Sequence, residues 1–201
     1  MSELVLRRVC VFCGSHFGAD RSYRELAESF GSLLASRGIS LVYGGGNVGL
    51  MGAIAEAALA GGGDVIGVIP RSLVDREVAH QGLSELIVVD SMHERKKKLY
   101  ELSDAVVAMP GGMGTLDELF EALTWNQLEI HFKPTGLLNA GGYWDPLVAM
   151  LDRMTEQGFV RTAHREMLQV ESTAEELLAA LARVGGVDRP GWVKPQTVHE
   201  E

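Results

Sequence analysis

"AVVAMPGGMGTLDELFEALTWNQL", residues 105–128, reads as a strand, a glycine turn and a helix with nothing between them. Its first five residues are apolar without alternation, the pattern of a strand covered on both faces. Pro110, Gly111, Gly112 and Gly114 then break the strand. A segment with helical apolar spacing follows from Thr115. Such a unit places small residues and a helix start at the carboxyl end of a buried strand.

Read outward, the unit recurs. "RVCVFCGS" (8–15), "ISLVYGGG" (39–46), "DVIGVIP" (64–70), "SELIVVDS" (84–91), "KPTGLLNAGG" (133–142) and "EMLQVES" (166–172) are further strands. Helix-period segments separate most of them, as in "YRELAESFGSLLASRG" (23–38) and "MHERKKKLYELSD" (92–104). "TAEELLAALARVG" (173–185) closes the pattern. Alternating buried strands and helices predict an α/β fold, a Rossmann-like parallel sheet with helices on both faces. No linker divides the chain, so residues 1–185 read as one domain and 186–201 as a polar C-terminal tail.

Composition limits the partners. Of 201 residues, 46% are apolar and 22% charged, with net charge −9 and pI about 5.2. A nucleic-acid binder needs a basic face, which this balance does not supply. No apolar run of about 18 residues predicts a membrane span, and the apolar run after Arg7 and Arg8 is too short for a signal peptide. The expectation is a cytoplasmic protein. Cys10 and Cys13 form a C-x-x-C pair inside a strand, where positions three apart face opposite ways. They read as inert thiols rather than a redox pair. Six scattered histidines (16, 80, 93, 131, 164 and 199) show no metal-ligand spacing, so no metal site is expected. His131 is expected to face solvent. The absence of a G-x-S-x-G elbow argues against a serine hydrolase.

In a parallel sheet of this kind, ligands bind beyond the carboxyl ends of the strands. Three glycine turns fall there: Cys13-Gly14-Ser15, Gly44–Gly49 and Pro110–Thr115. "GGGNVG" matches a dinucleotide fingerprint, but the following strand ends in Pro70-Arg71-Ser72 with no carboxylate for a ribose. Leu50 stands where a phosphate-binding loop would need lysine. Two readings of Gly44, Gly45 and Gly46 stay open: a tight turn, or contact with phosphate or ribose.

At the opening stretch, Gly111, Gly112 and Gly114 bring bare amides to a helix start, a natural anion cup. Glu118 has two readings. Thr115-Leu116-Asp117-Glu118 matches a capping box, with both acids suited to the first-turn dipole. Glu118 also stands beside the cup, where a carboxylate serves as general base or stabilises an oxocarbenium ion. In "MHERKKKLYELSD", Met92, Leu99 and Leu102 mark the apolar face, and Lys97 and Lys98 point outward. Arg95 borders that face and is placed to grip a phosphate or ribose.

These residues carry a resemblance. "PGGMGTLDELFE" (110–121) resembles the PGGxGTxxE signature of the Lonely Guy (LOG) family, cytokinin-activating phosphoribohydrolases once described as lysine decarboxylases. "MHERK" (92–96), "VYGGGNVGLMG" and "VIGVIP" are similar to other blocks of that family, and the likeness spans roughly residues 8–180. The resemblance implies a Rossmann-like homodimer with its pocket near the dimer interface. It implies hydrolysis of cytokinin riboside 5′-monophosphates to free base and ribose 5-phosphate, with AMP as a related substrate and no cofactor. It carries Arg95 and Glu118 over as catalytic residues. Substrate contacts carry over to Glu77, Lys96, the run Gly111, Gly112, Met113, Gly114, Thr115, Leu116 and Asp117, and Thr124. Ser15, Gly44, Gly45, Gly46 and Met92 join them as expected substrate contacts from the loops above. A purine nucleotide hydrolase of relaxed specificity and a non-catalytic nucleotide-binding or carrier protein are the rival readings.

Overall fold

The structure is a computed structural model that describes residues 3–74 and 79–185. Seven parallel strands form one sheet in the order β4-β3-β2-β1-β5-β6-β7. They are β1 (Arg8–Phe12), β2 (Ser40–Tyr43), β3 (Val65–Pro70), β4 (Glu85–Val89), β5 (Ala105–Ala108), β6 (Thr135–Leu138) and β7 (Leu168–Glu171). All seven strands coincide with runs read from the sequence. The helices are α1 (Arg21–Ser36), α2 (Gly49–Ala60), α3 (Met92–Leu102), α4 (Met113–Gln127), α5 (Asp145–Glu156), α6 (Thr162–Arg165) and α7 (Ala174–Gly185). The short α6 was not foreseen. The tail from 186 to 201 lies outside the described residues.

Both faces of the central strand are buried, as its unbroken apolar run requires. In β1, Val9 and Val11 join the core beneath α1, α2 and α7, while Cys10 and Phe12 face the core under α3 and α4. Cys13 lies on the first side and Cys10 on the second, and both are free thiols. A third cluster, with Leu119, Leu137, Trp144 and Leu151, seats α4 and α5 against the β5–β7 end. Each such side chain taken fully from water contributes about 1.5–3 kcal/mol before entropy is charged.

The strand order fixes where a ligand can sit. From β1 the sheet grows through β2 and β3 to β4 at one edge, and α3 then returns the chain to β5 on the other side of β1. The connections diverge between β1 and β5, which opens a crevice at their carboxyl ends. Backbone bonds tie the loops there together. Met109 N–H donates to the Phe12 carbonyl at 2.9 Å, Gly14 N–H to Pro110 at 3.0 Å, and Leu50 N–H to Gly14 at 3.0 Å. The three glycine turns are one hydrogen-bonded floor. Among the described residues, no helix is long and apolar enough to cross a membrane.

Candidate active site

Helix α4 begins earlier than the sequence suggested. Gly112 is its N-cap, with extended backbone and no side-chain cap, and Met113 is its first residue. The first helical bond runs from Leu116 N–H to the Gly112 carbonyl at 3.1 Å. The amides of Gly112, Met113, Gly114 and Thr115 therefore have no partner one turn back. Thr115 sits at the third helical position, buried, and does not cap. The capping box read at Thr115–Glu118 is not formed, and no acid lies in the first turn. Asp117 and Glu118 belong to the second turn, where the dipole effect has faded.

A side-chain cap closely related to a capping box does form at α3, with Glu94 reaching the residue before the N-cap. Ser91 Oγ accepts from Glu94 N–H at 3.1 Å, and Glu94 Oε2 accepts from Asp90 N–H at 3.0 Å. This start sets the helix so that Arg95 falls above Leu99 on the inward face, and Arg95 is only 5% exposed. Its Nη2 donates to the Gly44 carbonyl at 3.2 Å, and Nη1 lies 3.8 Å from Met92 Sδ. Gly44 has to be glycine for this. A Cβ there would stand 2.1 Å from Arg95 Nη2. Met92 is 43% exposed rather than part of the buried face, because it stands at the helix start over the crevice.

Helices α3 and α4 are cross-linked beside these residues. Tyr100 Oη donates to the Glu118 carbonyl at 2.9 Å. Lys96 Nζ lies 2.9 Å from Asp117 Oδ2 and 3.4 Å from Glu121 Oε2. Burial alone would lower the Lys96 pKa. The hydrogen bond to Asp117 and the charges of Glu121 and Asp117 outweigh it and hold the pKa above the ordinary value.

A cavity of about 280 Å³ opens between these elements. Ser15, Met92, Arg95, Gly112, Met113, Gly114, Thr115, Asp117 and Glu118 all line it, together with Cys13, Gly14, Met51 and Leu73. Nine expected site residues from three separate stretches thus meet in one place. Others stand elsewhere. Gly111 lines an adjoining cavity, and Leu116 packs into the α4–α5 core. Gly44, Gly45 and Gly46 are buried behind Arg95, outside the lining. Lys96 is held by its two acids, and Thr124 is exposed about three turns along α4. Glu77 lies outside the described residues.

The cavity's chemistry is a cation, a carboxylate and helix-start amides. Burial pushes the Cys13 thiol well up, and the Glu118 carboxylate adds to the effect, so Cys13 offers no thiolate. Among the described residues, no group of three or more His, Cys, Asp or Glu has the arrangement of a metal site. His131 is half-buried, not solvent-facing: its Nδ1 lies 3.2 Å from Asn126 Oδ1 and its ring packs on Tyr100. Sequence reasoning missed Met51, Leu73 and Tyr143 around the site. None carries a local motif, and Tyr143 reaches the glycine turn from 32 positions away.

A family model described as "possible lysine decarboxylase" matches residues 51–181. The chain is 50% identical, over 175 residues, to a probable cytokinin riboside 5′-monophosphate phosphoribohydrolase of Oryza sativa subsp. japonica, covering 87% of this chain and 71% of that one. It is 46% identical over 181 residues to a cytokinin riboside 5′-monophosphate phosphoribohydrolase of Arabidopsis thaliana, covering 90% and 84%. Among solved structures, the molybdenum cofactor binding protein of Rippkaea orientalis superposes with a TM-score of 0.65 at 26% identity, over 86% of this chain and 93% of that one. With half its residues shared over most of the chain, the protein belongs to the LOG family.

Proposed function

We propose that this protein hydrolyses the N-glycosidic bond of cytokinin riboside 5′-monophosphates, releasing the free base and ribose 5-phosphate. The observation that carries the reading is one cavity lined by Arg95, Glu118 and the amide-bearing start of α4. The helix start binds the 5′-phosphate through amides and dipole. Arg95, fixed by Gly44, holds the sugar or phosphate. Glu118 faces C1′, stabilises the positive charge that grows on the ribose as the bond breaks, and orients the attacking water. Water's oxygen joins C1′ and the base departs with the bonding pair and a proton. Phosphate binding, remote from the reacting bond, supplies the orientation.

Decarboxylation of lysine finds no support in this cavity. A pyridoxal cofactor would need a lysine to attach to, and the described lining contains none. Simple nucleotide carriage would need the amides but not a carboxylate beside them.

The methionines favour a prenylated base over adenine. Met51, Leu73, Met92 and Met113 border the cavity, and thioethers adapt well to an apolar chain. Burying only two carbons of an isopentenyl group is worth about tenfold in affinity. The expected result is a kcat/KM for isopentenyladenosine 5′-monophosphate about ten times that for AMP. Equal values would point instead to a general purine nucleotide hydrolase.

A homodimer is part of the same proposal. Met113 is 85% exposed at the cavity rim, and Leu128, Ile130 and Phe132 are exposed beyond the end of α4. A second copy is the occupant that would cover this face and close the cavity. Light scattering should give twice the 21.8 kDa chain mass. The mass of a single chain at working concentration would rule the dimer out.

A further inference from the structure

Tyr143 follows β6 and the short turn Ala140–Gly142. Its hydroxyl donates to the Gly111 carbonyl at 2.7 Å. Gly111 and Gly112 share a planar trans peptide, in which C=O and N–H point opposite ways. Drawing the carbonyl toward Tyr143 therefore turns the Gly112 N–H to the far side. The cavities record this division. Gly111 lines the cavity of about 270 Å³ that contains Tyr143, Phe17 and Tyr23, and not the one with Arg95 and Glu118. Met113 and Gly114 line the cavity with Arg95 and Glu118, and not the one with Tyr143. Gly112 lines both.

The tether answers a weakness of the glycine pair. A peptide between two glycines can flip at little steric cost, since neither residue has a Cβ to resist. A flip would put a carbonyl where the phosphate needs an amide. The amide at stake belongs to the N-cap of α4, the first donor of the helix start. The tyrosine is itself held. Its ring stands edge-on to Tyr23 at 5.5 Å and to Trp144 at 4.8 Å. Next to it, Trp144 N–H donates to Asn139 Oδ1 at 2.7 Å.

We propose that Tyr143 is a positioning residue for the phosphate site: its hydroxyl locks the Gly111–Gly112 peptide so that the Gly112 amide faces the substrate's 5′-phosphate. The proposal rests on the phosphoribohydrolase reading for the identity of the anion. The hydrogen bond is worth roughly 3- to 10-fold in an equilibrium constant.

Tyr143→Phe keeps the ring and its edge-on contacts and removes only the donor. The expected result is a KM for isopentenyladenosine 5′-monophosphate raised about 3- to 10-fold, with kcat within about twofold of wild type. The dissociation constant of ribose 5-phosphate, measured by calorimetry, should rise by the same factor. The inhibition constant of the unphosphorylated riboside should not move. Tyr23→Phe, in the same aromatic group, should change none of these. Equal weakening of riboside and nucleotide would overturn the proposal by showing a general packing role. Unchanged ribose 5-phosphate binding in Tyr143→Phe, or none by wild type, would overturn it too. The calorimetry requires no turnover, so it tests Tyr143 even if base release, and with it the proposed reaction, fails.

Discussion

Glu118→Gln lowers kcat by about 10²- to 10⁴-fold while leaving the melting temperature within about 2 °C of wild type. The size follows from the role. A positioned carboxylate that orients water and stabilises developing charge is worth this much, and a neutral amide of the same shape supplies neither. The unchanged stability follows from where α4 starts. Were Glu118 the far member of a capping box, its loss would cost the helix about 1 kcal/mol. Because Gly112 is the N-cap, Glu118 stands in the second turn and caps nothing. Gln keeps the volume of Glu and an acceptor oxygen, so the change is expected to stay within about 0.5 kcal/mol, a shift of about 1–2 °C at this chain length. Steady-state kinetics and a thermal melt on the same sample check both halves. Near wild-type turnover would remove Glu118 from the chemistry.

Gly44→Ala lowers kcat/KM by about 10²-fold from a position outside the cavity lining. The added Cβ would sit 2.1 Å from Arg95 Nη2. What it meets is the end of a long side chain, so the fold relieves the clash by moving the guanidinium. That displacement also breaks the bond to the Gly44 carbonyl. A shift of about 1 Å in a positioning group costs about 10²-fold in rate. Gly44 is not in the left-handed backbone region, so alanine adds no backbone strain. Stability should fall by no more than about 1–3 kcal/mol in a urea titration, the worth of one hydrogen bond from a charged group, while activity collapses. Arg95→Ala should lose at least as much activity. Full activity in Gly44→Ala would show that the Arg95–Gly44 contact is incidental.

The fold was legible because its signals are local. The central strands are largely unbroken apolar runs, and Val9 to Phe12 on both faces of β1 shows why. The four-residue α6 was missed because a single turn carries no period. At the site, residue types were legible and partners were not. Arg95 reads as the edge of a helix face because Leu99 lies one turn on. That its guanidinium would be buried against Gly44 depends on a contact across 51 positions. Thr115–Glu118 misled because a capping motif describes only side chains. An extended glycine backbone started α4 three residues sooner, and the motif that does cap, Ser91 to Glu94, went unread. The Gly44–Gly46 loop read either as a tight turn or as a phosphate contact; its three glycines are buried, and the Gly44 carbonyl accepts from Arg95.

Base release tests the proposed hydrolysis itself. Purified protein is incubated with isopentenyladenosine 5′-monophosphate and no added cofactor, and products are followed by chromatography. Free isopentenyladenine and ribose 5-phosphate should appear in equal amounts, and both should vanish in Arg95→Ala and Glu118→Gln. Tight binding of the nucleotide with no base released would contradict it, and would leave the Arg95–Glu118 cavity as a binding site without hydrolysis.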